Sequence, residues 1–168
     1  MIVTLTLNPS LDRTLEVNRL RRGGVTRAEA VRIDPGGKGV NVTRALRGFG
    51  IESCAVIPFG GPDGRELVRM LAEADVPIAQ VPVAGWTRSN VTVVEPGGKS
   101  TKINAPGDPV TEEELAALAE TMLRACGQRA HAIDGVGRSV WRPEASWVVL
   151  CGSLPPGVPD GVYATLTS

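Results

Sequence analysis

"DPGGKGVN", residues 34–41, decides how this chain is read. Three glycines, a lysine and an asparagine crowd together and run into apolar residues at helical spacing, Val42, Ala45, Leu46 and Phe49. Glycine lets backbone approach a neighbour or a ligand closely. A helix start offers free N–H groups and partial positive charge, which suit an anionic or hydroxyl-rich ligand. Taken alone, the stretch is a tight turn with a solvated lysine, a nucleotide-phosphate loop, or a floor under some other polar ligand.

Two nucleotide readings fail on spacing. "GKGVNV" starts at Gly37 like a dinucleotide fingerprint, but its sixth position is Val42, and no strand is expected immediately before it. "GGKST" at 97–101 ends like a nucleotide phosphate loop, but the required earlier glycine is Val93. It also sits in an expected hairpin turn, where a solvated loop is the simpler reading.

Outward from the glycine stretch, the pattern alternates. "IVTLTLN" (2–8) reads as a first strand, "SCAVIPF" (53–59) as a second and "PIAQVPV" (77–83) as a third. Between them lie the helix from Val40, stopped at Gly48 or Gly50, and one from near Asp63 with Leu67, Met70, Leu71 and Ala74 on one face. Strand, helix, strand, helix, strand implies a parallel α/β sheet. Residues 14–34 and 89–104 break the alternation, the latter a hairpin around "EPGGKS", and together suit a small second sheet. Thr111 and Glu114 form a capping box for a helix carrying Leu115, Leu118, Met122 and Leu123, ended by Gly127. "SWVVLCG" (146–152) reads as a buried strand, and "PPGVPDGVYATL" opens another helix. Residues 127–145 are polar and irregular, without an assigned element.

Composition bounds the partners. The chain has 168 residues, 42% hydrophobic and 21% charged, with 18 basic and 18 acidic side chains and no net charge. That suits one globular domain and argues against nucleic acid or a membrane surface held through bulk charge. No run approaches a membrane span, and "MIVTLTLNPS" lacks the features of a secretory leader. Cys54, Cys126 and Cys151, odd in number and far apart, read as buried thiols of a reducing cytoplasm, not a metal site.

Other polar residues cluster at expected strand ends. "NPSLDR" follows the first strand at its carboxyl end, where open α/β sheets place ligands. Asp12 there suits sugar hydroxyls, or equally a turn. Arg88 in "GWTRSN" has the planar fork for a phosphate, or for a surface salt bridge. Asn104 in "INAPG" and Ser153 in "CGSLPPG" read as local caps beside turn residues. His131, the only histidine, reads as a surface residue.

Taken in order, "TLTLNPSLDRT", "DPGGKGVNVTRAL", "FGG..G", "G.TR.N", "INAPG" and "GSLPPG" resemble the ribokinase-like carbohydrate kinases, specifically their phosphofructokinase-B branch. Within it the motifs are most similar to the bacterial 1-phosphofructokinase subgroup, then to tagatose-6-phosphate kinases. The resemblance takes in the chain except 127–145, which looks like an insertion. It implies a Rossmann-like α/β ribokinase fold with a small β-sheet lid, the lid being segments 14–34 and 89–104. It implies that Asp12 holds sugar hydroxyls and that Gly36, Gly37, Lys38 and Asn41 line the sugar-phosphate site. Arg88, and Arg27 on the lid, would reach the phosphate, and Asn104 would join the substrate-binding set. Lys38 is a subgroup hint, since 6-phosphofructokinases of the family carry glycine there.

The implied reaction is ATP- and magnesium-dependent phosphorylation of fructose 1-phosphate to fructose 1,6-bisphosphate in the cytoplasm. Tagatose-6-phosphate and fructose-6-phosphate kinases are the alternatives, as is a non-catalytic sugar-phosphate-binding fragment. Cys151 stands where the family has serine, a weaker hydrogen-bond partner. The family's "GAGD" segment, with its anion hole and general base, is absent from these residues. The expectation is therefore a single incomplete kinase domain, residues 1–168, corresponding to the N-terminal half: no catalytic base, no metal ligands, and lids that pair two copies.

Overall fold

The computed structural model of the protein describes residues 1–127, 132–133, 139–140 and 147–166. The strands are β1 (Ile2–Leu5), β2 (Ser10–Glu16), β3 (Ala30–Gly36), β4 (Ser53–Phe59), β5 (Ile78–Pro82), β6 (Arg88–Val94), β7 (Ser100–Asn104), β8 (Ala132–Ile133), β9 (Ser139–Val140) and β10 (Trp147–Leu150). The helices are α1 (Lys38–Gly48), α2 (Gly61–Glu73), α3 (Glu112–Gly127) and the single turn α4 (Val162–Thr165).

Four parallel strands make the main sheet in the order β10-β1-β4-β5. β1 is central, and Val3 and Leu5 are fully buried. One apolar cluster joins Val3, Leu5 and Val56 to Leu118 and Met122 of α3. The other joins Ala55 and Ile57 to Val40 of α1 and to Leu67 and Leu71 of α2. Helices thus cover both faces, as a parallel sheet requires. The capping box forms as expected: the Glu114 carboxylate accepts from the Thr111 amide at 2.9 Å, and Thr111 Oγ1 accepts from the Glu114 amide at 3.2 Å.

The second sheet has the order β3-β2-β6-β7, with β2 and β6 parallel and both outer pairs antiparallel. It starts at Ser10 rather than near residue 14, because β1 stops at Leu5 and the chain crosses directly into the lid. Asp12 therefore lies on a lid strand and not in a loop after β1. A strand, β3, does lead directly into the glycine turn, contrary to expectation. It belongs to the lid and runs antiparallel to β2, so a dinucleotide site remains excluded. Leu11 anchors the lid by burying against α2's cluster. Arg13 adds an ion pair to Asp63 at 2.9 Å and a bond from Nε to Ser89 Oγ at 2.9 Å.

Three expected helix faces shift. In α1 the buried residues are Gly39, Val40 and Thr43, while Phe49 is 81% exposed. The reason is polar: Thr43 hydroxyl donates to Thr4 Oγ1 at 2.9 Å, and Thr4 donates to Gly39 O at 3.1 Å, turning this face to β1. In α2, Met70 is half-buried and Ala74 lies past the helix end. In α3, Ala125 takes the buried place expected of Leu123, which is exposed. β10 is an edge strand whose Trp147 and Val148 are exposed, the open edge expected of an incomplete domain and not the buried strand its apolar run suggests. The three cysteines are free and half-buried. Most of segment 128–145, including His131, lies outside the described residues.

Two glycines of α1 are expected to respond oppositely to alanine. A Cβ at Gly39 would collide with Thr6 Oγ1 and come within 3.2 Å of Thr4, whereas Gly48 has nothing within 4 Å. Gly39→Ala is expected to cost more than about 1 kcal/mol, and Gly48→Ala to add up to about 1 kcal/mol, by urea unfolding.

Candidate functional site

Where the lid overhangs the carboxyl end of β1, a basin of about 370 Å³ opens. Asn8, Ser10, Asp12, Gly37, Lys38, Asn41, Arg88, Asn90, Asn104, Gly152 and Ser153 line it. Its size falls in the ordinary range for small-molecule sites. A second cleft, beside Trp86 and Pro155, has room for about 20 Å³ and holds water at most.

The glycine turn builds the floor. Gly37, the residue before α1, has φ 118°, a left-handed value open to glycine. A side chain there would also come within 2.9 Å of Thr6. No side chain caps α1, and its N-cap Gly37 and first residue Lys38 both line the basin, so an uncapped helix start with an exposed ammonium forms part of the wall. Gly36 contributes differently: its missing side chain leaves the space that the Asp12 carboxylate fills. Asn41 stands one turn into the helix, its Oδ1 3.5 Å from Arg44 Nη1.

Across the lid, Asp34, Asp12, Asn90 and Asn104 occupy one row of register partners on β3, β2, β6 and β7. Asp12 Oδ1 accepts from Ser10 Oγ at 2.7 Å and from Asn90 Nδ2 at 2.9 Å. Asp34 is turned to Arg32, 2.8 Å away.

Arg88 ties three distant segments together. Nη1 donates to Ala105 O at 3.0 Å, and Nη2 donates to Asn8 O and Ser153 Oγ, both at 3.0 Å. Burial pushes its guanidinium below the ordinary arginine range, and the Asp12 carboxylate partly offsets this. Asn8 repeats the link, its Nδ2 donating to Pro106 O at 2.9 Å and Leu154 O at 3.2 Å. Cys151 is tied by its amide to Leu5 O at 3.3 Å; burial raises its thiol pKa and the Lys38 ammonium pulls it back.

Asp12, Gly37, Lys38, Asn41, Arg88 and Asn104 are thus brought together. Arg27 is exposed in the loop between β2 and β3 and does not line the basin. Sequence reading missed Asn8, Ser10 and Asn90 as lining residues, and took Ser153 for a cap. Strand alternation carries the signal for two of them, since Ser10 and Asn90 lie two residues from Asp12 and Arg88. Among the described residues no group of three or more His, Cys, Asp or Glu side chains is placed to hold a metal ion.

Replacing Arg88 by lysine keeps the charge but removes the fork that spans three acceptors. Arg88→Lys is expected to lose roughly 2 kcal/mol or more, read as a lower urea midpoint.

The chain is 36% identical over 158 residues to ATP-dependent 6-phosphofructokinase isozyme 2 of Escherichia coli, covering 94% of this chain and 46% of that protein. It is 37% identical over 158 residues to 1-phosphofructokinase of Vibrio cholerae, covering 94% of this chain and 44% of that protein. The crystal structure of E. coli phosphofructokinase-2 in complex with fructose-6-phosphate superposes with a TM-score of 0.82 at 33% identity, over 99% of this chain and 50% of that one. The chain spans about half the length of the curated relatives it matches. Residues 5–133, which take in the whole lid, the glycine turn and α1 to α3, match the pfkB family carbohydrate kinase profile, and the chain belongs to that family.

Proposed function

We propose that this chain forms the sugar-phosphate-binding part of an ATP-dependent kinase acting on a ketohexose monophosphate, fructose 1-phosphate first. The observation that carries this is the pairing of opposites in one basin. A carboxylate able to accept from sugar hydroxyls faces an uncapped helix start and Lys38, which suit a phosphate. Arg88 adds a second cation at the rim. Asn41 and Asn104 offer amides to either end of the ligand.

Lys38 favours fructose 1-phosphate over fructose 6-phosphate on the subgroup resemblance. Fructose 6-phosphate is the second reading, supported by the E. coli complex with that sugar and by near-equal identity to both kinds of relative. ATP and magnesium are the cofactors the family implies. Among the described residues no cluster of three or more candidate ligands would hold a metal ion by itself, and Asp12 is the one carboxylate lining the basin. With Asp12 committed to hydroxyls, this chain's own work lies at the sugar end: holding and orienting the acceptor.

The lid is proposed to pair two copies. On the face opposite Asp12, beyond the part that Leu11, Arg13 and Ile33 hold against α2, alternation places Val31 and Ile103. Val31 is 58% and Ile103 63% exposed.

Calorimetric titration tests the ligand. Fructose 1-phosphate is expected to bind more tightly than fructose 6-phosphate or tagatose 6-phosphate, and Lys38→Ala to weaken it roughly tenfold or more. No binding of any of the three rejects the reading; a preference for fructose 6-phosphate moves it to the second. An ADP-release assay on the same chain is expected to show no turnover, because a general base alone is worth typically ~10²–10⁴-fold. Light scattering is expected to find a dimer, and Val31→Glu with Ile103→Glu a monomer. A monomeric wild-type chain at high concentration removes the pairing.

A further inference from the structure

We infer that Asn90, with Ser10, is a positioning residue that sets which oxygen of Asp12 faces the ligand. The inference rests on the proposed sugar-phosphate site and adds a specific division of labour within it.

Both donors converge on the same atom. Ser10 Oγ and Asn90 Nδ2 each donate to Asp12 Oδ1, at 2.7 and 2.9 Å. Oδ2 receives no bond from the described residues and occupies the space left by the missing side chain of Gly36. Two donors on one oxygen hold the carboxylate plane. They also use up much of the accepting capacity of Oδ1, so Oδ2 is the atom left for sugar hydroxyls. Ser10 is 1% exposed and sits beneath the carboxylate on the same strand face. Asn90 approaches from the neighbouring strand, as the register partner of Asp12.

The fold itself gains little from the amide of Asn90. Its Oδ1 is buried and has no hydrogen-bond partner, an arrangement that disfavours the folded state. Its flip is barred, since a flipped amide would turn oxygen toward the Asp12 carboxylate. An apolar side chain of similar size would remove the orphaned acceptor along with the bond to Asp12, two opposing effects of similar size. The amide is therefore explained by what its Nδ2 does to Asp12, a local stability cost of the kind found at functional sites. A misoriented carboxylate reads hydroxyls poorly but leaves the phosphate contacts of Lys38 and the α1 amides intact.

The test compares the wild-type chain with Asn90→Leu and Ser10→Ala by thermal unfolding and by calorimetric titration with fructose 1-phosphate, fructose 6-phosphate and inorganic phosphate. Asn90→Leu is expected to unfold close to the wild-type temperature, to bind the sugar phosphates roughly ten- to a hundredfold more weakly, and to bind inorganic phosphate unchanged. Ser10→Ala is expected to weaken sugar binding in the same direction, and the double variant to fall short of the product of the two losses, because both act on one oxygen. If Asn90→Leu melts well below wild type, the amide is structural and the inference is overturned. Sugar binding by Asn90→Leu equal to wild type also overturns it, with the proposed site left standing. A wild-type chain that binds neither sugar phosphate fails the site reading itself, and the positioning role falls with it.

Discussion

Space at three backbone positions is the constraint on which the rest of this structure depends. At residue 36 a side chain would displace the Asp12 carboxylate, at 37 it would press on Thr6, and at 39 it would collide with the Thr6 hydroxyl. With no atoms there, the first turn of α1 lies directly on β1 and against the lid, so a helix start and a lid carboxylate share one basin. The closeness has a cost: Thr6 Oγ1 is buried without a partner, worth about 1–3 kcal/mol against the fold. Its methyl meanwhile sits under Gly37 and 3.9 Å from where a Gly152 side chain would begin.

Arg88 solves a second problem, that of keeping the two sheets in fixed relation. The segments it binds, at residues 8, 105 and 153, approach from the start, middle and end of the described chain. One planar group with several donors does this without covalent cross-links. The same bonds leave fewer of its N–H groups for a ligand. In the proposed reading a phosphate is met mainly by Lys38 and the amides of α1, with Arg88 as a fixed electrostatic background.

The parallel core was legible because β4, α2, β5 and the α3 capping box are local patterns: short apolar runs, a 3.6-residue stripe and a reciprocal cap. The lid was legible as four pieces, since its residues break the alternation. Its start was not, because "LTLNPSL" carries one β-branched, apolar texture through a change of sheet. That shift concealed Ser10 and Asn90, whose roles follow only once Asp12 is known to sit on a strand. The buried face of α1 was misread because Thr4 and Thr43 hold it through hydroxyls, which hydrophobic periodicity does not register. Arg27 was placed by analogy with the family, and its loop keeps it outside the basin of its own chain.

β1 lies at the centre of the main sheet, yet it precedes both of its neighbours in the sequence. Its two neighbours pair residue 2 with residues 53 and 147. One flank of β1 is therefore closed once residue 56 has emerged, and the other waits for residue 150. At typical synthesis rates of ~5–20 residues per second, that wait lasts several seconds, far longer than collapse of the β1–β4–β5 core. Through that interval the backbone of Val3, Thr4 and Leu5 presents an open row of donors and acceptors to any passing strand. The topology that centres β1 thus leaves its β10-facing edge unpaired longest as the chain is made.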